Sequence, residues 1–195
     1  MTIYFYGLST VRLQDGGVAV LIDPTAETKI SLRGQNEIIL LSGKNGESRK
    51  NGSFVIDAPG EYEVKGIFIY AFNISKEPAK LAYMVEMEGV KIAYLGHLHT
   101  SDFSESDLEK LEDADILLVP VGGEDGYAAK QAMEVINELE TRVVVPIIYQ
   151  TAGLKSKLAS VEVFKKAAGV NFETVDKLKI GKKDLPEEET RFVIV

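Results

Sequence analysis

Both histidines of the chain fall in one short stretch, Gly96-His97-Leu98-His99-Thr100-Ser101-Asp102. In an extended segment residues two apart face the same side. His-x-His is then a two-ligand fragment of a zinc or nickel site, with Asp102 and Glu105 nearby and a third ligand needed from elsewhere. The alternative is a pair of capping or solvated imidazoles. A second stretch, Ser42 to Gly52, holds three glycines and the cations Lys44, Arg49 and Lys50. Free backbone N–H groups with cations can cradle an anion, although the G-x-x-x-x-G-K-[ST] spacing of a P-loop is absent. A solvated turn is the alternative there. A third pair of loops follows Val119-Pro120-Val121-Gly122-Gly123 and Val145-Pro146-Ile147-Ile148-Tyr149. Tyr149 could donate a hydrogen bond, but it fits better as an aromatic at the core edge. Gly7-Leu8-Ser9 is not the G-x-S-x-G elbow of a serine hydrolase.

Composition narrows the chemistry. The chain has 195 residues, with 22 Lys+Arg against 30 Asp+Glu, a net charge of -8 and no cysteine. Thiol nucleophiles, Cys-ligated zinc, iron–sulfur clusters and disulfides are excluded. The negative balance opposes general nucleic-acid binding, so no nucleic acid is expected as a partner. With two histidines, one chain cannot build a site of four or five imidazoles. The opening Met1-Thr2-Ile3-Tyr4-Phe5-Tyr6 has no basic n-region, and the apolar run from Val143 to Tyr149 is too short to span a bilayer. The expectation is one cytoplasmic domain over residues 1–195, with no membrane partner.

Several elements must position those loops. Short β-branched or aromatic runs predict strands at Ile3–Tyr6, Thr10–Leu13, Val18–Ile22, Glu37–Leu41, Phe54–Ile56, Glu61–Val64, Ile67–Phe72, Leu81–Glu86 and Val90–Leu95. After these, helix and strand alternate. Ser104 with Asp107 resembles a capping box, and Tyr127–Glu140 and Ser160–Ala168 have helical spacing. Buried strands are expected at Asp115–Val121 and Arg142–Ile148, with closing strands at Phe172–Val175, Leu178–Ile180 and Arg191–Val195. Strands first and alternation later make an α/β sandwich.

Five segments, in order, resemble the metallo-β-lactamase fold superfamily, in particular a bacterial branch of small metal-dependent hydrolases. Ile3-Tyr4-Phe5-Tyr6-Gly7-Leu8-Ser9-Thr10 is similar to its opening W-L-G-H-S-[ST] strand, and Val20-Leu21-Ile22-Asp23-Pro24 to its D-P segment. Asp57-Ala58-Pro59-Gly60-Glu61-Tyr62-Glu63-Val64-Lys65-Gly66 resembles G-P-G-E-Y-E-V-K-G. Asp115–Gly123 and Val144–Thr151 resemble D-I-L-L-[IV]-P-V-G-G and V-I-P-M-H-Y-x-T. The resemblance implies a four-layer αβ/βα sandwich with the active site at the strand ends between two sheets. It also implies one or two metal ions, usually zinc, held largely by an H-x-H-x-D-H loop.

This sequence departs from that ligand pattern. Gly43, Asn45 and Ser48 stand where the loop has histidines, and Glu47 where it has aspartate. His97 aligns with the bridging aspartate, Ile148 with the last histidine and Leu8 with the opening one. The expectation is therefore a non-catalytic member, a pseudo-hydrolase without cofactor that binds a small ligand or a protein. Lys44 and Arg49 would be its anion-binding cations. The alternative is a metal-dependent hydrolase, zinc-bearing, rebuilt around His97 and His99. A metal-free enzyme with Glu47 and His97 as acid and base is the third reading. The loops after Leu41 and Leu95 are expected to follow neighbouring strands and to converge on Pro146–Tyr149.

Overall fold

The computed structural model describes residues 1–28, 30, 37–43 and 53–195. Lys44, Asn45, Glu47, Ser48 and Arg49 lie outside the described residues. The chain opens with an antiparallel meander of β1 (Thr2–Phe5), β2 (Val11–Asp15) and β3 (Val18–Ile22). Strands β4 (Glu37–Leu40) and β5 (Phe54–Ile56) then add in parallel. All four residues of β4 are buried, which fits its nearly continuous apolar run.

A second meander follows: β6 (Gly60–Val64), β7 (Ile67–Ile74), β8 (Glu77–Met87) and β9 (Val90–Tyr94). Two of its hairpins turn on two residues, Lys65-Gly66 and Glu88-Gly89. All four have positive φ, at 55° and 78°, then 53° and 71°. This is the type I′ geometry that matches strand twist, and it fixes the pairs Val64 with Ile67 and Met87 with Val90.

Helices and strands then alternate: α1 (Glu105–Glu109), β10 (Ile116–Pro120), α2 (Ala129–Leu139), β11 (Val143–Ile147), α3 (Val161–Ala168), β12 (Phe172–Thr174), β13 (Leu178–Lys179) and β14 (Arg191–Ile194). The first sheet has the order β13-β1-β2-β3-β4-β5 and the second β12-β14-β11-β10-β9-β8-β7-β6. Ile3, Ile22, Ile38 and Leu40 of the first sheet meet Tyr83, Tyr94, Leu118 and Ile147 of the second in one core. A further apolar cluster, with Ala132 and Ile136 of α2, Phe164 of α3 and Leu111 just after α1, covers the outer face of the second sheet. The expected α/β sandwich is thus present. Among the described residues, the α-helices lie on the second sheet.

Local signals carried over well. Ser104 accepts from the Asp107 amide while Asp107 accepts from the Ser104 amide, so the capping box forms. Gly169 ends α3 in the left-handed region, at φ 65°. Helix α2 starts at Ala129 rather than Tyr127, because Tyr127 is wholly buried in the preceding loop and its carbonyl accepts from the Gly123 amide. The expectation that Leu41 and Leu95 follow neighbouring strands needs correction. The strands preceding them, β4 and β9, belong to opposite sheets. Their loops still touch, because a Cβ on Gly96 would lie 2.8 Å from Ser42 Oγ.

Candidate functional site

Strand direction decides where the loops gather. β1 and β3 are both antiparallel to β2, and β4 is parallel to β3, so these three strands point the same way. β9, β10 and β11 are parallel to one another in the second sheet. The segments that follow them contribute to one cleft of about 650 Å³, the size of a small-molecule site. Leu8 follows β1, Asp23 follows β3 and Gly43 follows β4; His97, Asp125 and Ile148 follow β9, β10 and β11. Ser9, Glu27 and Lys80 also line it. Leu8, Gly43, His97 and Ile148 are therefore brought together as the sequence implies. Leu8 and Ile148 are also tied through their backbones, the Ile148 amide donating to the Leu8 carbonyl at 2.7 Å.

Asp23 forms the floor. Its amide donates to the Leu40 carbonyl. Its Oδ1 accepts from the Ser42 amide at 2.7 Å, and its Oδ2 accepts from Ser42 Oγ at 2.5 Å and from the Tyr94 hydroxyl at 2.6 Å. Three donors satisfy a carboxylate that is nearly out of solvent. Burial, with the charge of Asp23, pushes the Tyr94 phenol well above its ordinary value, so it remains a neutral donor.

His97 stands at the wall. Its Nδ1 lies 2.8 Å from Asp125 Oδ2, while its Nε2 is 3.9 Å from Asp23 Oδ2, too far for a hydrogen bond. Burial opposes charge on the ring. The hydrogen bond to Asp125 and the charges of Asp23 and Asp125 outweigh burial and the opposing Lys80, so His97 titrates above its ordinary value. The bond to His97 draws Asp125 below the usual carboxylate range. The expectation that His97 and His99 face one side is corrected. Gly96 and His97 form a turn, with the Leu98 amide donating to the Leu95 carbonyl at 3.1 Å, so strand alternation does not apply. His99 Nδ1 instead sits 2.6 Å from Lys80 Nζ and 3.4 Å from Glu77 Oε1.

A metal ion of the kind the fold implies has a poor donor set here. Among the described residues, no group of three or more His, Asp or Glu is placed to hold one. Leu8, Gly43 and Ile148 carry no side-chain donor, and the Asp23 oxygens already accept from Ser42 and Tyr94. Tyr149 is the core-edge aromatic expected, 5% exposed and packed on Phe5 at 5.3 Å between ring centroids. Burial pushes its phenol up to about 12.

Comparison with known proteins adds the family. A family model described as the beta-lactamase superfamily domain matches residues 2–148. The chain belongs to this superfamily. A solved structure from Thermotoga maritima, named as a proposed Zn-dependent hydrolase of the metallo-beta-lactamase superfamily, is 30% identical with a TM-score of 0.80. The match covers 100% of this chain and 98% of that one. A UPF0173 protein of Pyrococcus abyssi is 22% identical over 183 residues, 78% of this chain and 85% of its own length. A UPF0173 metal-dependent hydrolase of Thermococcus onnurineus is 33% identical over 97 residues, 48% of this chain and 41% of its own. Fold and superfamily are therefore those the motifs implied, and two of these three proteins are named as metal-dependent hydrolases. Asp23, Asp125 and Lys80 are among the cleft residues that the sequence did not mark as site residues. Asp23 was legible as part of the D-P segment, whereas Asp125 lies two residues beyond the Gly122-Gly123 exit and was not singled out. Lys80 gave no signal, because its strand placed it there through register alone.

Proposed function

We propose that this protein is a hydrolase-type member of the superfamily that uses the cleft between Asp23 and His97. The observation that carries this reading is His97, set at a strand end in the cleft with Nδ1 2.8 Å from Asp125 and Nε2 without a hydrogen bond among the described residues. The names of the relatives support hydrolysis as the reaction class. When bound, a metal in this fold acidifies a water. The described donor set does not fit one. Small esters are the substrate class, and the cleft has the volume for them. Purified protein should be assayed on a panel of carboxylic and phosphate esters, with its zinc, iron and manganese content measured. Hydrolysis abolished by His97→Gln is the expected result; a panel without turnover would sink the reading.

A second reading is the pseudo-hydrolase, which binds a small ligand or a protein without turnover. Ile148 favours it. This residue is β-branched and 1% exposed, yet has φ 50°. Histidine is enriched in that left-handed region, whereas a β-branched residue there is a genuine outlier. An aliphatic residue on such a backbone is what a kept scaffold with an altered centre would show. Lys44 and Arg49 remain its proposed anion-binding cations. Thermal stabilisation by phosphate that is lost in Lys44→Ala, without turnover of any ester, would select this second reading.

A further inference from the structure

We infer that His97 and Asp125 form a metal-independent general-base pair that activates water against carboxylic esters in the cleft. The inference rests on the hydrolase reading above and specifies how that cleft would work. Geometry carries it. A general base needs one ring nitrogen oriented by an acceptor and the other free toward the substrate. Asp125 Oδ2 lies 2.8 Å from Nδ1, and its charge favours the proton on that nitrogen, which leaves the lone pair on Nε2. On the Nε2 side, Asp23 Oδ2 lies 3.9 Å away and is already occupied by Ser42 and Tyr94. It does not block the nitrogen, and its charge favours the imidazolium formed during the reaction.

Ser9 lines the cleft, yet its hydroxyl is buried and has no hydrogen-bond partner among the described residues. Buried hydroxyls are usually satisfied, and a water or a ligand oxygen would satisfy this one. Lys80 is the fixed cation among the described lining residues. A carboxylic ester needs little charge neutralisation, whereas a phosphate ester leans on a metal or several cations. The carboxylic ester is therefore the substrate class assigned.

The step balances without a co-reactant. Nε2 takes a proton from water as the water oxygen bonds to the carbonyl carbon, and the C=O electron pair moves onto oxygen. Collapse re-forms C=O and breaks the bond to the leaving oxygen, which receives the proton from Nε2. The products are a carboxylic acid and an alcohol. Asp125 is a positioning residue, since it acts through the ring.

The test uses full-length protein dialysed against EDTA, with p-nitrophenyl acetate and p-nitrophenyl phosphate as probes, each with and without added zinc. Metal-free turnover of the acetate is expected, with kcat/KM lowered about 100-fold or more by His97→Gln, in the range of general-base catalysis. Asp125→Asn keeps an acceptor near Nδ1 but loses the charge. It should lower the rate about 10-fold and move the rising limb of the pH profile to lower pH. That limb reports His97 with Asp125, Asp23, Glu27 and Lys80 as its charged neighbours in the cleft. A merely structural role for Asp125 would lower the rate without moving the limb, and would overturn its part. Equal metal-free turnover by wild type and His97→Gln would overturn the pair as catalyst. Turnover only with added zinc would overturn metal independence while leaving the hydrolase reading intact. No turnover under any condition would overturn both.

Discussion

Tyr94 and Asp23 bind the two sheets at the floor of the cleft: the phenol of a central strand in one sheet donates to a carboxylate at the strand end of the other, at 2.6 Å. The same hydroxyl lies 3.0 Å from the Ser9 carbonyl, but its single hydrogen favours the nearer, charged acceptor. Tyr94→Phe keeps the ring and removes that donor. The expected cost is about 1–3 kcal/mol, because a buried carboxylate oxygen loses a partner. Urea unfolding with an unchanged m value would measure it, and a cost under a few tenths of a kcal/mol would show that Ser42 alone satisfies Asp23.

Gly122 is packed against the loop that carries Ile148. A Cβ there would lie 2.2 Å from the Ile148 carbonyl oxygen and 3.1 Å from Tyr149 Cα, both backbone atoms. Neither can rotate away as a side chain would. Gly122→Ala should therefore destabilise by about 3 kcal/mol, at the upper end for overpacking. It should also displace Ile148 from the cleft. Thermal unfolding reads the first effect; an unchanged Tm would mean that the two loops separate without cost.

These residues also show what sequence reveals and what it hides. Leu8, Gly43, His97 and Ile148 were legible together because each sits at a fixed place in a segment with its own pattern, and the parallel strands bring the segment ends to one point. The hairpin turns and the Ser104 cap were legible because they depend on neighbours in the chain. The His97–Asp125 pair was not, since 28 positions and a buried strand separate the two residues and only the fold closes that distance. The His-x-His reading failed for the opposite reason. Spacing of two implies a shared face only in a strand, and Gly96, at φ 47°, starts a turn there.

Ile148→His tests whether the cleft can be given a metal site. The strained backbone accommodates histidine better than isoleucine, while burial of the aliphatic chain is lost. One imidazole would be added beside Leu8 and Gly43, which still contribute no donor. Zinc content after dialysis should remain well below one per chain, because affinity depends on three or more convergent ligands. A full equivalent of zinc would instead mean that residues of the 44–52 segment complete a site once Ile148 is replaced.

The His97–Asp125 pair should also leave a signature in stability against pH. His97 is raised in the folded state, so folding favours its protonated form. That contribution is fully present below the ordinary histidine range and is lost as pH rises through the raised folded value. Asp125 is lowered, so its contribution is present above the ordinary aspartate range and is lost as pH falls through the folded value. Both contributions coincide between about pH 5 and 6.5, given the ordinary values of the two groups. Asp125 is 61% exposed, so solvent screens the pair and its worth is about 1 kcal/mol or less. The stability difference between wild type and Asp125→Asn should therefore be largest near pH 6 and become smaller toward pH 9 as His97 loses its proton. Denaturant titrations at the two pH values would show it, and a difference that grew toward pH 9 would mean that Asp125 does not favour the imidazolium in the folded protein.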